Sequence, residues 1–214
     1  KEVKVLIPSQ PTQVFAMAGN YRSHLGEDTI PEKFRIPQPF IKTLSCLTSH
    51  GEAIVIPPDA TVVHYEAEMV AVIGRKCSKV SPEEALDYVL GFTIGNDVTA
   101  RDLQRRDGPW TRAKGFDTFC PIGPWIETGF DPADAVITCH VNGEMRQVGS
   151  TRDMVCSVRQ LNAFASSVMT LETGEVLFTG TPAGVSPLIE GDVIQVTIEG
   201  IGQLSNPVVS EPPH

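Results

Sequence analysis

The stretch HYEAEMVAVIG, residues 64–74, restricts this chain more than any other. Its make-up is that of a strand bound for the interior, yet it carries Glu66 and Glu68 two positions apart. Residues i and i+2 of a strand share a face. The two carboxylates therefore project together, while Tyr65, Ala67, Met69, Ala71 and Ile73 face the other way into a core. Val70 and Val72 continue the glutamate face with apolar side chains, an awkward surface to leave in water. Like charges this close repel, and burial strengthens the repulsion. Either the face is wet, as in a plain amphipathic strand, or a cation lies between the carboxylates.

A third acid stands where such a cation would need it. FTIGNDVTARD ends an apolar strand at Asp97, close after Gly95 and just ahead of a weak helix cap at Thr99. Strand ends and the loops after them are where binding groups gather. Asp97 could equally cap the following turn. Three carboxylates without histidine or cysteine would select a hard cation, Mg²⁺ or Mn²⁺, with Ca²⁺ as a third candidate.

Elsewhere the chain reads as strands: the opening stretch, residues 53–57, 88–97, 136–141, 175–180 and 192–198. Asn142-Gly143 is a strong two-residue hairpin signal, and Gly200 with Gly202 suggests a second hairpin. Helices are few. Ser81-Pro82-Glu83-Glu84 has the chemistry of a helix start, and Ser157-Val-Arg-Gln160 opens a helix with Val158, Leu161, Ala165 and Val168 on one stripe. Strands that outnumber helices and return through hairpins predict a β-rich mixed α/β fold, not a doubly wound parallel sheet. Its 214 residues suit a single domain over 1–214. A loose tail is expected over 208–214.

Charge and cysteine usage narrow the function. Twenty-six acidic against 17 basic residues give a net charge of −9, which argues against nucleic acid as a partner. No run is long and apolar enough to span a bilayer. The five cysteines are scattered without metal-ligand spacing, so free buried thiols in a reducing cytoplasm are expected.

Taken in order, GNYRSHLGE (19–27), PFIK (39–42), HYEAEMVAVIG (64–74), GFTIGNDVTARDLQ (91–104), WTRAKGFDTFCPIGP (110–124), VNGEMRQ (141–147) and TGTPAGV (179–185) resemble the fumarylacetoacetate hydrolase superfamily, in the manner of its small bacterial members. The resemblance implies a β-sandwich roll, a homodimer, and a divalent metal held by Glu66, Glu68 and Asp97. It places His24 and Glu27 as the dyad that activates water, and Lys114 as the lysine facing substrate. Arg101, Gln104 and Thr181 fall at substrate-binding positions, Thr181 at a loop that meets a substrate carboxylate. Each has a plain alternative: an exposed ion pair for His24-Glu27, a solvated lysine, helix-surface polars and a tight Gly-Thr-Pro turn. Tyr21, Lys42, Arg105 and Arg106 are weaker candidates. Relatives often carry an N-terminal lobe, of which residues 1–18 would be a remnant. Fumarylacetoacetate hydrolases proper have a further upstream aspartate ligand, and MAGNY (17–21) lacks an acid there. That points to a smaller 2-oxo acid than the namesake substrate.

In chemical terms, a 2-oxo carboxylate chelated to the ion would give a metal-stabilised enolate as a neighbouring bond breaks. Lys114 would add charge at the enolate oxygen. C–C bond hydrolysis of an acylpyruvate is the leading expectation. Oxaloacetate-type decarboxylation and 2-hydroxyhepta-2,4-diene-1,7-dioate isomerisation follow from the same enolate, and a catalytically silent metal-binding module is the alternative of another class.

Overall fold

The structure is a computed structural model that describes residues 3–26 and 30–212. The first half runs through β1 (Val14–Ala18), α1 (Arg22–Leu25), β2 (Gln38–Lys42), β3 (Leu47–Thr48), β4 (Ile54–Ile56), β5 (Val63–His64) and β6 (Ala67–Ile73). Then come β7 (Val89–Asn96), β8 (Thr99–Ala100), α2 (Arg101–Arg106), α3 (Thr111–Lys114) and β9 (Cys120–Glu127). The chain finishes with β10 (Val136–Val141), β11 (Glu144–Ser150), α4 (Val158–Val168), β12 (Val176–Phe178), β13 (Val193–Ile198) and β14 (Gly202–Ser210).

Two curled sheets face each other. One has seven strands in the order β2-β1-β12-β6-β7-β9-β3, the other five in the order β11-β10-β13-β14-β4, and β5 pairs with β8 apart from both. Alternation sets the facing surfaces: Ile137, Cys139 and Val141 on β10, and Ile194, Val196 and Ile198 on β13, are buried while their neighbours are more exposed. β6 is different, with all seven of its residues buried, because the sheet is covered on both sides there. The fold is the β-rich mixed architecture that the strand pattern predicts, in the curled form that the family resemblance implies.

Local chemistry explains the turns. Asn142 (φ 54°) and Gly143 (φ 81°) both adopt the left-handed backbone that a two-residue hairpin between β10 and β11 requires. Ser157 and Gln160 complete a reciprocal capping box at the start of α4.

Several expectations change. The opening stretch is not a strand before Val14; residues 3–13 run irregularly, tied by Ser9 to Gly174 and by Thr12 to Glu175. Residues 14–18 are β1, paired with β2 and β12, so that part of the 1–18 span belongs to the main sheet. Val208, Val209 and Ser210 pair in parallel with Ile54, Val55 and Ile56, so the loose tail cannot begin at 208. The Ser81 cap forms, its hydroxyl accepting from the Glu84 N–H at 3.4 Å, but only a 3₁₀ turn over Ala85–Tyr88 follows, since Val89 at once enters β7. Thr99 lies in β8 and donates to the Asp97 carbonyl instead of capping α2. Val168, at the end of α4, turns outward from the otherwise buried stripe. Finally, HYEAEMVAVIG is not one strand: it breaks at Tyr65-Glu66 between β5 and β6.

Candidate active site

That break positions the first carboxylate. β6 and β7 are antiparallel, with Ala67 opposite Asn96 and Glu68 opposite Gly95, so the start of one strand meets the end of the other. Just beyond the pairing, the Asp97 N–H donates to the Glu66 carbonyl at 2.9 Å, and Asn96 Oδ1 accepts from the Glu66 N–H at 2.9 Å. Glu66, Glu68 and Asp97 are buried, and each offers a carboxylate oxygen within 4.8 Å of the others. Gly95 is a steric requirement of this register: a Cβ there would stand 2.3 Å from the Phe178 ring.

Three cations surround the acids. Lys114 Nζ donates to Glu66 Oε2 at 2.9 Å and to Asp97 Oδ2 at 2.5 Å, from a side chain that is itself buried. Arg101 bonds Glu66 Oε1 with one guanidinium nitrogen and Gln104 Oε1 with another, the latter at 2.7 Å. Lys42 Nζ holds the second Asp97 oxygen at 2.6 Å and the Phe119 carbonyl at 2.9 Å. Burial pushes the Glu66 carboxyl up, but Lys114 and Arg101 outweigh it and hold the group below the usual carboxylate range. For Glu68 burial wins, joined by the charges of Asp97 and Glu66, and its carboxyl is raised well above that range.

The donor set fits a hard dication. Glu68 accepts the Gly180 N–H at 2.6 Å, and no lysine or arginine among the described residues bonds it. Two buried acids have cationic partners and the third is left wanting positive charge, all three offering oxygen alone.

Thr181 follows β12, the other neighbour of β6, and lines the same cavity. Its hydroxyl donates to the Ala67 carbonyl at 2.8 Å and accepts from Gln147 Nε2 at 2.9 Å. Gln147 also donates to the Pro182 carbonyl and accepts from the Ala67 N–H, tying the Thr181 loop to the start of β6. His24, on α1, is half-buried against the cavity. Burial lowers its pKa, and Arg101 and Lys114 push the same way against Glu66. Glu27, its expected partner, lies outside the described residues.

The cavity of about 260 Å³ thus gathers Glu66, Glu68, Asp97, Lys114, Arg101, Gln104, Thr181 and His24. Among the weaker candidates, Tyr21 is buried without a hydroxyl partner among the described residues, Lys42 stands behind Asp97, and Arg105 and Arg106 are exposed. Gln147 and the aromatic lining residues Phe34, Phe40 and Trp110 were not foreseen. The matching motifs PFIK, WTRAKGF and VNGEMRQ contain three of these four, and that was the available signal.

Comparison with known proteins identifies the family. The fumarylacetoacetate (FAA) hydrolase C-terminal family matches residues 13–209, and the chain belongs to that family. The fold superposes with a TM-score of 0.93 on 5-carboxymethyl-2-hydroxymuconate delta-isomerase from Mycobacterium smegmatis, 44% identical, covering 98% of this chain and 83% of that one. Maleylpyruvate hydrolase from Sphingobium sp. SYK-6, solved in complex with manganese(II) ion and pyruvate, gives 0.82 at 34% identity, covering 95% and 72%. The bifunctional isomerase/decarboxylase of 4-hydroxyphenylacetate degradation from Salmonella dublin is 41% identical over 204 residues, 92% of this chain and 47% of that protein. Rat mitochondrial oxaloacetate tautomerase Fahd2a is 38% identical over 223 residues, 97% of this chain and 70% of its own. The chain is an enzyme of this family, with an acidic triad able to hold a metal ion.

Proposed function

We propose that the chain is a divalent-metal-dependent enzyme acting on a 2-oxo carboxylic acid, and that its reaction is hydrolysis of the C–C bond of an acylpyruvate. The convergence of three buried carboxylates beside Lys114 in one cavity carries the reading. Glu66, Glu68 and Asp97 would hold Mg²⁺ or Mn²⁺. When bound, the ion supplies Lewis acidity towards the keto oxygen of the substrate.

The chain's own groups divide the remaining work. Lys114 would set a positive charge where negative charge develops on the substrate oxygen. Arg101 and Gln104, joined to each other, and the backbone of the Thr181 loop would orient the substrate carboxylate; the Thr181 hydroxyl itself is committed to Ala67 and Gln147. His24, held neutral, would take a proton from the water that attacks the acyl carbon. The bond from that carbon to C3 of the pyruvate unit breaks, C3 is reprotonated, and the products are a carboxylate and pyruvate.

Decarboxylation, tautomerisation and isomerisation share the enolate, and the names borne by relatives keep them as the second reading. Acetylpyruvate and oxaloacetate, assayed with Mg²⁺ or Mn²⁺ and again with a chelator, separate these. The proposal expects chelator-sensitive pyruvate release from acetylpyruvate, abolished in Lys114→Ala. Carbon dioxide release from oxaloacetate alone would favour the lyase reading. No turnover of either, with metal still bound, would leave a silent module. A homodimer and a cytoplasmic location belong to the same proposal; light scattering coupled to gel filtration tests the first. No helix among the described residues is long and apolar enough to cross a membrane.

A further inference from the structure

The cavity is chemically mixed. Its acids and cations cluster about Glu66, Glu68 and Asp97, while Met17, Leu25, Phe34, Phe40 and Trp110 supply large apolar surface that begins beside Lys114. The rings are placed, not scattered. Phe40 comes within 4.9 Å of Lys114 Nζ by its ring centroid, and Trp110 meets Phe40 edge to face with centroids 5.4 Å apart. Phe34 lies on the bare backbone of Gly19, where a Cβ would stand 2.3 Å from the ring. Phe34, Phe40, Trp110 and Leu25 are only half-buried, so each leaves apolar surface for something else to cover.

What the cavity lacks matters as much. Among the described residues its lining lysines and arginines are Lys114 and Arg101; both bond Glu66 or Asp97, and both are already assigned to the head group of the substrate. Lys33 is nearby, with Nζ 4.7 Å from the Phe34 ring centroid, but it is exposed and does not line the cavity. A second carboxylate at the far end of a substrate would therefore exchange water for aromatic carbon without a cationic partner, an unfavourable transfer.

We propose that the site selects a 2-oxo monocarboxylate with an alkyl or aryl tail laid against Phe34, Phe40 and Trp110, and discriminates against dioic substrates. This rests on the reading of the triad as the head-group site, and it chooses within it: acylpyruvates with apolar acyl groups over heptadienedioate-like or oxaloacetate-like acids.

Inert oxamates test the inference without turnover. Calorimetry in Mn²⁺ would compare oxamate, N-propyloxamate, N-phenyloxamate and N-(2-carboxyethyl)oxamate on the wild-type chain, Trp110→Ala and Lys33→Ala. The expected order is phenyl and propyl above oxamate, by about fourfold for each methylene buried, with the carboxyethyl compound at least tenfold weaker than propyl. In Trp110→Ala the tail preference should shrink towards unity while oxamate affinity stays within about twofold. Lys33→Ala should change nothing. Equal or tighter binding of the carboxyethyl compound, or a tail preference untouched in Trp110→Ala, would overturn the proposal while leaving the head-group reading intact. Failure of every oxamate to bind alongside bound Mn²⁺ would instead sink the head-group reading, and this inference with it.

Discussion

Lys42 Nζ lies 2.6 Å from Asp97 Oδ1, and both side chains are sealed from solvent. The pair explains how a carboxylate stays fixed at the exit of β7: one oxygen is held from behind by Lys42, leaving Oδ2 towards Lys114 and the cavity. Burial works against the Lys42 charge, but Asp97 reverses the balance and raises its pKa. Leaving a buried charge wholly uncompensated costs about 3–5 kcal/mol, and because Lys114 still bonds Asp97 Oδ2 the loss of Lys42 belongs at or below the lower end of that range. Lys42→Met, which keeps an unbranched chain and removes the charge, should lose about 2–3 kcal/mol in urea unfolding. A loss below about 1 kcal/mol would mean that Lys42 does not hold Asp97 in place.

Glu68 behaves in the opposite sense, because no lysine or arginine among the described residues bonds it. Glu68→Gln keeps the shape and removes the charge. Metal-free, the variant should melt no lower than the wild-type chain; with Mn²⁺ it should lose most of the metal-induced rise in Tm and bind the ion at least tenfold more weakly by calorimetry. Unaltered metal affinity would return Glu66 and Glu68 to the status of a sheltered but functionless pair.

The His24 pKa is lowered, first by burial and then by Arg101 and Lys114. The neutral base thus persists below its ordinary value of 6.5, and the acid limb of kcat/KM should fall below pH 6.5. His24→Asn should cut kcat about a hundredfold or more and remove that limb. An acid limb above pH 6.5 that persists in the variant would assign the proton transfer to another group.

Alkaline stability follows from a buried thiol. Burial pushes Cys139 up to about 12 from an ordinary 9.0. Above pH 9 the unfolded chain gives up a proton that the folded chain keeps, so stability is complete below that pH and falls as pH rises towards 12. The full effect is on the order of 4 kcal/mol, at 1.36 kcal/mol per pH unit. Cys139→Ala should be less stable than the wild-type chain at pH 7.5 but lose less between pH 7.5 and 10.5 in urea unfolding; parallel losses would remove Cys139 as the cause.

How far the sequence could be read depended on the range of the interaction. The Asn142-Gly143 hairpin and the Ser157 capping box were legible because neighbouring residues determine them. Glu66 and Glu68 were legible as an anomaly, two acids where apolar residues were due, and Asp97 as an acid at the strand end where a shared cation would need it. Local signals failed where tertiary pairing took over: the Ser81 cap is followed by the entry to β7, not by an α-helix, and residues 208–210 are claimed by β4. The role of Gln147 is set by Ala67 and Thr181, 80 and 34 positions away, so only its place in the matching motif VNGEMRQ marks it in the sequence. Nor did alternation foresee the break at Tyr65-Glu66, which brings Glu66 over the end of β7.

The most direct test of the central claim is a crystal soaked with Mn²⁺ and pyruvate, with anomalous scattering used to locate the metal. The account predicts one strong peak coordinated by oxygens of Glu66, Glu68 and Asp97, with the keto acid on its open side and Lys114 beside it. A peak away from these carboxylates, or an empty triad at saturating Mn²⁺, would contradict it.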